Sequence, residues 1–360
     1  MIDKLTILNI KDKLMQLKIT SWNVEHSARL IGSDISELLE DRRQRVANTI
    51  TDINPDILCM LEGPSSEIDI TNFCRDVLNG KWQPVLLSGD GDASNKHKRY
   101  ETSGSQWIWF LVKTEWIGKC RLQEPSVWQS FVGHKDWPVY YWGQKQEQRH
   151  SHYRHPQVLI FEYEQGKELE IIGQHMKSKI NREQVWDDKE GKVLSGAYVD
   201  EALIARVKLA TEARNIRAYV DARFNQTRSP AIIILGDAND GVGQDFFEQN
   251  YMFFDLISNL QGNVMQSDRF FNHALFDFPA ELRWSAKYDD PITGKRAKDN
   301  PLLIDHILMS QALVNGAFPL QVNSGAGMVE HLAFDRANAG ATVKRITSDH
   351  RPISVVLRSL

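Results

Sequence analysis

The sequence predicts an α/β protein, because apolar segments of strand length alternate along the chain with segments of helical periodicity. Two of these segments are especially clear. The helix predicted over Val199–Phe224 carries apolar residues at helical spacing between charged ones, and the run Ala231–Leu235 after it is apolar without interruption. A continuous apolar run of that length is typical of a strand covered on both faces.

The other elements follow from the same patterns, taken in chain order. A strand is predicted over Leu17–Val24, and then a helix over roughly Asp34–Ile53 with Ser33 as its N-cap. A buried strand over Asp56–Leu61 comes next. Further strands are predicted at Trp107–Val112, Val158–Tyr163, Leu169–Gly173, Leu302–Met309 and Pro352–Leu357.

The composition is that of an ordinary globular protein, and it limits the classes of function. Of the 360 residues, 42% are hydrophobic and 25% are charged, and 43 basic against 47 acidic residues give a net charge of −4. This balance argues against a protein that coats nucleic acid or an anionic membrane by charge alone, but it allows a local basic cleft. The sequence contains no repeat, low-complexity tract or long linker, so we expect a short extension over residues 1–16 and a single domain over residues 17–360.

Cysteine usage and hydropathy predict a cytoplasmic protein. Cys59, Cys74 and Cys120 lack the spacing of a disulfide framework or a structural zinc site, which indicates a reducing compartment. Charges interrupt the N-terminal segment every few residues, unlike a signal peptide, and no window approaches ~18 uninterrupted apolar residues. We therefore expect no stable membrane association, and no obligatory protein partner is inferred.

Polar side chains of one chemical kind stand at the ends of the predicted strands. Asn23 and Glu62 close the first two strands, and Asp237 and Asn239 follow the apolar run. Asp305 is predicted to lie within a strand, where a carboxylate is costly unless something pairs with it. The set is completed by His175, Lys177 and Lys179 after the strand at Leu169–Gly173, and by Asp349 and His350 before the final strand.

These residue types fit the hydrolysis of a phosphodiester with the help of a divalent metal. Mg²⁺ and Mn²⁺ take hard oxygen ligands such as Glu62, and the reaction needs an aligned water and neutralised phosphate charge. Asp237 could orient or deprotonate that water. His350 could bind the phosphate as an imidazolium, with Asp305 or Asp349 holding its ring and raising its pKa.

The remaining polar residues have supporting roles in this hypothesis. Asn239 could position the water or the phosphate, and His175 could donate a hydrogen bond or a proton. Positive charge for the phosphate would come from Lys177, Lys179 and Arg154. Taken alone, a Gly-Asp pair such as that at Asp237 is more often a turn, so the joint occurrence of these motifs is what favours a site.

The ordered motifs resemble those of the endonuclease/exonuclease/phosphatase superfamily, which includes pancreatic deoxyribonuclease, apurinic/apyrimidinic endonucleases, neutral sphingomyelinases and inositol polyphosphate 5-phosphatases. They run in family order over nearly the whole chain: Trp22-Asn23, Leu61-Glu62, His175, Gly236–Asn239, Ile304–Ile307 and Ser348–Pro352. The resemblance implies an α/β fold of two packed mixed β-sheets flanked by helices, a four-layer α/β/β/α sandwich with the site at one mouth of the sheets. The H-x-K-S-K motif from His175 to Lys179 looks like that of a bacterial nuclease-like branch.

The resemblance also implies a role for each residue. On the metal side it places Glu62 as the principal ligand, Asn23 beside it and Asp349 as a second carboxylate; the catalytic residues are His175, Asp237, Asn239, Asp305 and His350. Asp305 resembles the carboxylate that orients the catalytic His350.

We therefore predict a metal-dependent phosphodiester hydrolase using Mg²⁺ or Mn²⁺, with nucleic acid as its substrate, so a nuclease on DNA or RNA. An alternative within the same chemistry is a phosphatase or phosphodiesterase of a small or lipid-linked phosphate, which the near-neutral charge leaves open. A rival from another class is a non-catalytic binding module. Loss of Glu62, Asp237 or His350 would have favoured it, and all three are present.

Aromatic residues between positions 107 and 155 have both structural and binding interpretations. For Trp107 and Trp109 core packing is favoured over base stacking, whereas Trp137 and Trp142 fit either. The histidine-rich segment 150–155 predicts a solvated loop beside the cleft rather than a transition-metal site.

Overall fold

The computed structural model describes residues 15–32, 35–88, 99–100, 104–132, 136–141, 145–252 and 254–360. The predicted N-terminal extension lies almost wholly outside these ranges. The α-helices of the described residues are α1 (Glu37–Ile53), α2 (Glu67–Asn72), α3 (Pro125–Val132), α4 (Gly196–Gln226), α5 (Leu256–Gln261) and α6 (His331–Ala337). Within the described ranges, no helix combines the length and apolar character needed to cross a membrane.

The strands pair into two large sheets and two small ribbons. They are β1 (Gln16–Asn23), β2 (Ile57–Gly63), β3 (Trp82–Pro84), β4 (Trp107–Lys113), β5 (Cys120–Leu122), β6 (Asp136–Val139), β7 (Gln148–Ser151), β8 (Gln157–Glu164), β9 (Lys167–His175), β10 (Ala231–Asp237), β11 (Asn272–His273), β12 (Ala286–Lys287), β13 (Pro301–Leu302), β14 (Asp305–Met309), β15 (Leu320–Val329) and β16 (Ile353–Ser359). The first sheet has the order β15-β16-β1-β2-β4-β3, and the second has the order β11-β14-β10-β9-β8-β5.

The two large sheets pack face to face and helices cover their outer sides. The inner faces share one apolar core, to which Ile19 and Phe110 contribute from the first sheet and Ile171 and Ile233 from the second. The outer face of the first sheet packs against α1 and α2. The outer face of the second sheet packs against α3, α4 and α5. The predicted α/β/β/α sandwich is confirmed.

The start of α1 differs from the prediction. The helix begins at Glu37, and its N-cap is Ser36, whose hydroxyl accepts a hydrogen bond from the Leu39 N–H at 3.4 Å. The predicted cap, Ser33, lies outside the described residues. A serine with extended backbone just before the first helical turn satisfies one of the N–H groups that the helix leaves unpaired, and Ser36 has that geometry.

The prediction of a strand over Leu302–Met309 was too long at its beginning. Residues 301–302 pair instead with β12, and β14 starts at Asp305, directly opposite Asp237 of β10. Because β14 runs antiparallel to β10, its first residue lies opposite the last residue of β10. Asp305 is therefore the first residue of its strand, not an interior one.

The first sheet joins the two ends of the described chain. β1 pairs in parallel with β2 and antiparallel with β16, with Gln16 opposite Arg358 and Ser21 opposite Ile353. The end of β1 and the start of β16 consequently lie side by side at the same end of the sheet. Asn23 and the segment before β16 are brought together there.

Candidate active site

Three neighbouring strands of the second sheet place three of the predicted residues side by side. Asp237 at the end of β10 pairs with His175 of β9 on one side and with Asp305 of β14 on the other. All three side chains are buried, with at most 5% of the residue exposed. Strand register alone thus creates a row of two carboxyl groups and one imidazole.

Gly236 allows β10 to reach this position. Its φ is +135°, and a Cβ added there would lie 1.8 Å from the Gln174 carbonyl oxygen of the adjacent strand. No other residue tolerates both the backbone conformation and the contact. The glycine before Asp237 is therefore required to hold that carboxyl against β9.

Asn23 links this row to the first sheet. Its Nδ2 atom donates to Asp237 Oδ2 at 3.1 Å and lies 3.3 Å from Glu62 Oε1. Its Oδ1 atom accepts the Glu25 N–H at 3.0 Å. In this orientation Asn23 holds the two carboxyl groups together and stands beside Glu62 rather than presenting a free oxygen.

Glu62 is held at the mouth by donors from two loops. Its backbone is left-handed, with φ of +56°, and its Oε2 atom accepts the His26 N–H at 2.9 Å and a hydrogen bond from Gln106 Nε2. Its side chain is 12% exposed, so it can be reached from solvent. Glu62 thus has the fixed orientation and the access that a metal ligand needs.

His350 is fixed as a cation by the groups around its ring. Nδ1 lies 2.8 Å from Asp305 Oδ2, while Nε2 lies 3.0 Å from the Tyr288 hydroxyl and 3.7 Å from Asp237 Oδ2. Burial alone would lower the pKa of His350, but the charges of Asp305 and Asp237 raise it to about 10. The ring therefore carries a proton at neutral pH and can face an anion.

Asp237 is surrounded by nitrogen atoms but remains difficult to ionise. Its Oδ1 accepts the Asn239 N–H at 2.8 Å, and its Oδ2 lies 3.3 Å from His175 Nε2. Burial raises the pKa of Asp237 to about 7, against the lowering effect of His350. Burial also lowers the pKa of His175, which keeps that ring neutral. A carboxyl poised near neutrality beside an imidazolium can accept or return a proton.

Two groups of mainly acidic side chains stand near the place where a cation would bind. Asp237, Asp305 and His350 have ligand atoms within 4.8 Å of one another, but a protonated His350 offers no lone pair. Glu25, Glu62 and Asp349 are carboxylates whose charges affect one another: burial raises the pKa of Glu25, and the charges of Asp349 and Glu62 raise it further. Hard oxygens crowded at a solvent-accessible mouth match the ligand preference of Mg²⁺ or Mn²⁺.

Of the three basic residues predicted to bind phosphate, two lie near the site and one does not point to it. Arg154 joins the site: it donates to Gln106 Oε1, its guanidinium lies 5.0 Å from the Tyr153 ring centroid, and it interacts with the charges of Glu62 and Asp237. Lys177 is half-buried nearby, and its Nζ donates to the Ser178 carbonyl at 3.0 Å.

Lys179 does not point to the site, contrary to the predicted role. Its Nζ contacts Asp240, Asp245 at 2.9 Å and Glu248 at 3.1 Å, and Arg206 closes the same network through Asp245. Lys179 thus anchors the loop that follows β10 to the segment that follows β9. Its ammonium occupies the centre of those three carboxylates.

Three residues of the site carried no signal in the sequence. Tyr288 donates to Asp349 Oδ2 at 2.9 Å and contacts His350, while Gln106 bridges Glu62 and Arg154. The His26 N–H holds Glu62. Tyr288 and Gln106 do not follow an apolar strand at its carboxyl end, so the strand-end pattern could not identify them. His26 contributes through its backbone N–H, which every residue except proline carries.

The aromatic residues near the mouth are mostly internal. Trp107, Trp109 and Trp137 are buried, which confirms core packing for the first two, and Trp142 lies outside the described residues. The histidine-rich segment is not a solvated loop as predicted: His150, His152 and His155 are buried, and the rings of His152 and Trp137 lie 4.8 Å apart. Tyr153 is 42% exposed and can offer its ring to a ligand.

Glu212 on α4 is a buried carboxyl next to the site, and its raised pKa makes the stability of the protein depend on pH. It is 3% exposed and accepts the Lys177 N–H at 2.8 Å, and burial raises its pKa to about 7 from an ordinary 4.5. Folded Glu212 holds its proton more tightly than the unfolded chain does. Its contribution to the free energy of unfolding is therefore complete below pH 4.5 and is lost as the pH rises through 7.

We expect Glu212→Gln, which keeps the acceptor but not the charge, to raise the free energy of unfolding by about 3 kcal/mol at pH 8.5 and by little at pH 4.5. Denaturant unfolding at both values measures the difference. Asp200→Asn, an exposed position of α4, is the control and should show no such pH dependence. Equal effects at the two pH values would contradict the assigned burial.

Comparison with known proteins shows the fold. Neither a protein-family model nor a curated protein matches this sequence. A solved structure of truncated Caenorhabditis elegans TDP2 matches with a TM-score of 0.51 and 14% identity, over 96% of this chain and 98% of that chain. Another structure of TDP2 from C. elegans matches with a TM-score of 0.50 and 13% identity, over 96% of this chain and 76% of that chain. A structure of an endonuclease/exonuclease/phosphatase from Bacteroides vulgatus matches with a TM-score of 0.48 and 12% identity, over 96% of this chain and 100% of that chain.

These similarities, at low sequence identity, concern the fold alone. The chain shares the fold of these TDP2 structures, with the two packed sheets flanked by helices that the ordered motifs predicted. The nuclease-like branch suggested by the H-x-K-S-K motif stays a prediction.

Proposed function

We propose that residues 17–360 form a single catalytic domain that hydrolyses phosphodiesters with a divalent metal, Mg²⁺ or Mn²⁺, and that its substrate is nucleic acid. The observation that carries this proposal is the convergence of two sheets on one mouth. There Asn23 hydrogen-bonds both the accessible Glu62 and the poised Asp237. Asp305 hydrogen-bonds the cationic His350, whose Nε2 atom lies 3.7 Å from Asp237 Oδ2. Each of these groups answers one requirement of phosphoryl transfer to water.

The roles follow from the environment of each side chain. Asp237 would orient the attacking water and receive its proton, since its carboxyl is poised near neutral pH. His350, held by Asp305 and Tyr288, would face the non-bridging phosphate oxygens as a cation. Neutral His175 and the Asn239 amide would supply further contacts, and Arg154 would neutralise charge at the rim.

Glu62 and Asp349 would hold the cation, with Asn23 beside them. When bound, the divalent ion would neutralise charge on the phosphate oxygens and the leaving oxygen. The His26 N–H and the Gln106 amide orient the Glu62 carboxylate, as hydrogen-bond donors behind a metal ligand do.

Nucleic acid is favoured as the substrate by the exposed Tyr153 ring stacked with Arg154. An arginine that neutralises phosphate beside an accessible aromatic ring is the combination by which proteins hold a single strand, with the base on the ring and the backbone on the cation. A small or lipid-linked phosphate would need the cation without the ring. The free cysteines of the described residues are compatible with the cytoplasmic location that we propose.

A cleavage screen tests the proposal. Wild-type protein is incubated with circular, linear and single-stranded DNA, RNA, phosphomonoesters and lipid phosphates, each with Mg²⁺, Mn²⁺ or chelator. We expect metal-dependent cleavage of nucleic acid, and nicking of the circle would show endonucleolytic action. Turnover of small or lipid phosphates alone would contradict nucleic acid as the substrate but would leave the proposed mechanism unchanged.

Glu62→Gln is the matched variant for the metal. It preserves size and most hydrogen-bond geometry while removing the charge, so we expect the Mn²⁺ dissociation constant to rise at least tenfold. Isothermal titration measures this directly. Glu67→Gln, in the first turn of α2, serves as the control and should bind Mn²⁺ as the wild type does. Unchanged binding by Glu62→Gln would exclude Glu62 as the ligand.

A further inference from the structure

Arg42 is a buried cation whose hydrogen bonds go to backbone rather than to a carboxylate. It lies inside α1 with 7% of its surface exposed. Its Nη2 atom donates to the Val24 carbonyl at 2.7 Å, to the Thr347 carbonyl at 2.9 Å and to the Glu25 carbonyl, and Nε donates to Thr347 at 3.1 Å. The carboxylate of Glu25 is 4.0 Å from Nη2.

These carbonyls belong to the two loops that border the proposed metal site. Val24 and Glu25 follow β1, and Thr347 lies in the segment before β16. The two loops are far apart in the sequence. One planar guanidinium therefore ties a loop near the beginning of the fold to a loop near its end.

The first loop adopts a backbone conformation that needs outside support. Glu25 and His26 are both left-handed, with φ of +49° and +51°. Consecutive non-glycine residues rarely adopt this conformation, because Cβ crowds the carbonyl oxygen. The same two residues donate the N–H groups that orient Asn23 and Glu62. By holding the carbonyls of this loop, Arg42 keeps those N–H groups aimed at the site.

The second loop supplies Asp349 and His350. Ser348 donates to the Asn23 carbonyl at 2.7 Å and accepts the His350 N–H at 3.0 Å, so this loop is already docked on β1 at one point. The bond to Thr347 adds a second attachment on the helix side. The Arg42 guanidinium also lies near the charges of Glu25, Asp349 and Glu62.

We infer that Arg42 is a positioning residue for the proposed metal site, where it fixes the separation of the two loops so that Glu62 and Asp349 converge on one ion. The inference rests on the proposed function. It assigns to Arg42 a geometric role rather than contact with the metal or the substrate.

The test uses Mn²⁺ binding and backbone protection, neither of which requires turnover. Mn²⁺ is titrated into wild type, Arg42→Met and Arg42→Lys while the free-ion EPR signal is followed. Arg45→Met is the matched control: Arg45 lies on the same helix and donates to the Ala337 and Ala339 carbonyls at 2.8 and 3.2 Å, away from the site. Amide hydrogen exchange is recorded on the metal-free proteins at a temperature where all are folded.

We expect Arg42→Met to raise the Mn²⁺ dissociation constant about tenfold and to speed exchange in both loops, residues 24–26 and 347–350. Arg45→Met should leave the Mn²⁺ dissociation constant and the exchange rates of both loops unchanged, even if it lowers the melting temperature. Arg42→Lys keeps the charge but cannot span three carbonyls, so it should resemble Arg42→Met. It is also the variant to use if Arg42→Met does not fold.

Restored binding in Arg42→Lys would show that charge, not the cross-link, matters, and would overturn the inference. Wild-type affinity with unchanged loop exchange in Arg42→Met would do the same. Failure of the wild type to bind Mn²⁺ is a different result: it would contradict the proposed function and, with it, a metal-positioning role for Arg42.

Discussion

Replacing Asp237 with asparagine is expected to lower turnover on nucleic acid about a thousandfold while leaving substrate binding nearly unchanged. The amide can occupy the same space and accept the Asn239 N–H, but it cannot take a proton from water. Because the folded protein raises the pKa of Asp237 from 3.8 to about 7, the contribution of this carboxyl to the free energy of unfolding is complete below pH 3.8 and is lost as the pH rises through 7. The variant should therefore be at least as stable as the wild type at pH 8.

The measurements are the turnover number, the Michaelis constant and the melting temperature at pH 8. Asp255→Asn is the control, since Asp255 caps α5 through the Ser258 N–H at 2.9 Å and asparagine caps equally well. A thousandfold loss with an unchanged or higher melting temperature would separate chemistry from folding. Activity within threefold of the wild type would remove Asp237 from the mechanism.

Replacing His350 with glutamine is expected to lower turnover by roughly a hundredfold to a thousandfold, because the cation facing the phosphate is lost. This variant should also be less stable at pH 7. Since the folded pKa of His350 is raised to about 10, its stabilising contribution is complete below its ordinary pKa of 6.5 and is lost only as the pH rises through 10. Glutamine also leaves Asp305 buried without its charge partner.

The coupling of His350 to Asp305 gives a sharper test than either substitution alone. If Asp305 acts through His350, Asp305→Asn and the double variant should be about as inactive as His350→Gln, rather than multiplying the two losses. His331→Gln is the control, because His331 only bonds the Leu282 carbonyl, at 2.7 Å, and packs on Trp284. Fully multiplicative losses would show that Asp305 acts independently of the ring.

Much of the architecture was accessible from the sequence because strand ends are chemically marked. An apolar run that stops at a carboxylate identified the ends of β2 and β10, and the register then placed Asp237 between His175 and Asp305. The alternation of strands and helices predicted the α/β class, while only the ordered motifs predicted two stacked sheets. Burial explains this success, since a strand covered on both faces must be apolar until it reaches the edge.

The residues that were missed or misplaced depend on contacts between distant loops. Lys179 was predicted to supply positive charge to the phosphate, yet three carboxylates from the segment after β10 surround its ammonium. Tyr288 and Gln106 reach the site from segments with no strand-end pattern. The start of β14 depends on where its partner β10 ends, which no local pattern contains. Tertiary contact, not local propensity, decides each of these.

The antiparallel pairing of β1 with β16 has a consequence for biosynthesis. Ser348 is made 325 positions after Asn23, which it must bond, and at ordinary elongation rates this takes roughly 15 to 65 seconds. During that interval β1 lacks one neighbour in the sheet, and its unpaired edge invites association with other strands. His350 is synthesised in the same late segment as Ser348, so the proposed active site cannot assemble until that segment has emerged from the ribosome.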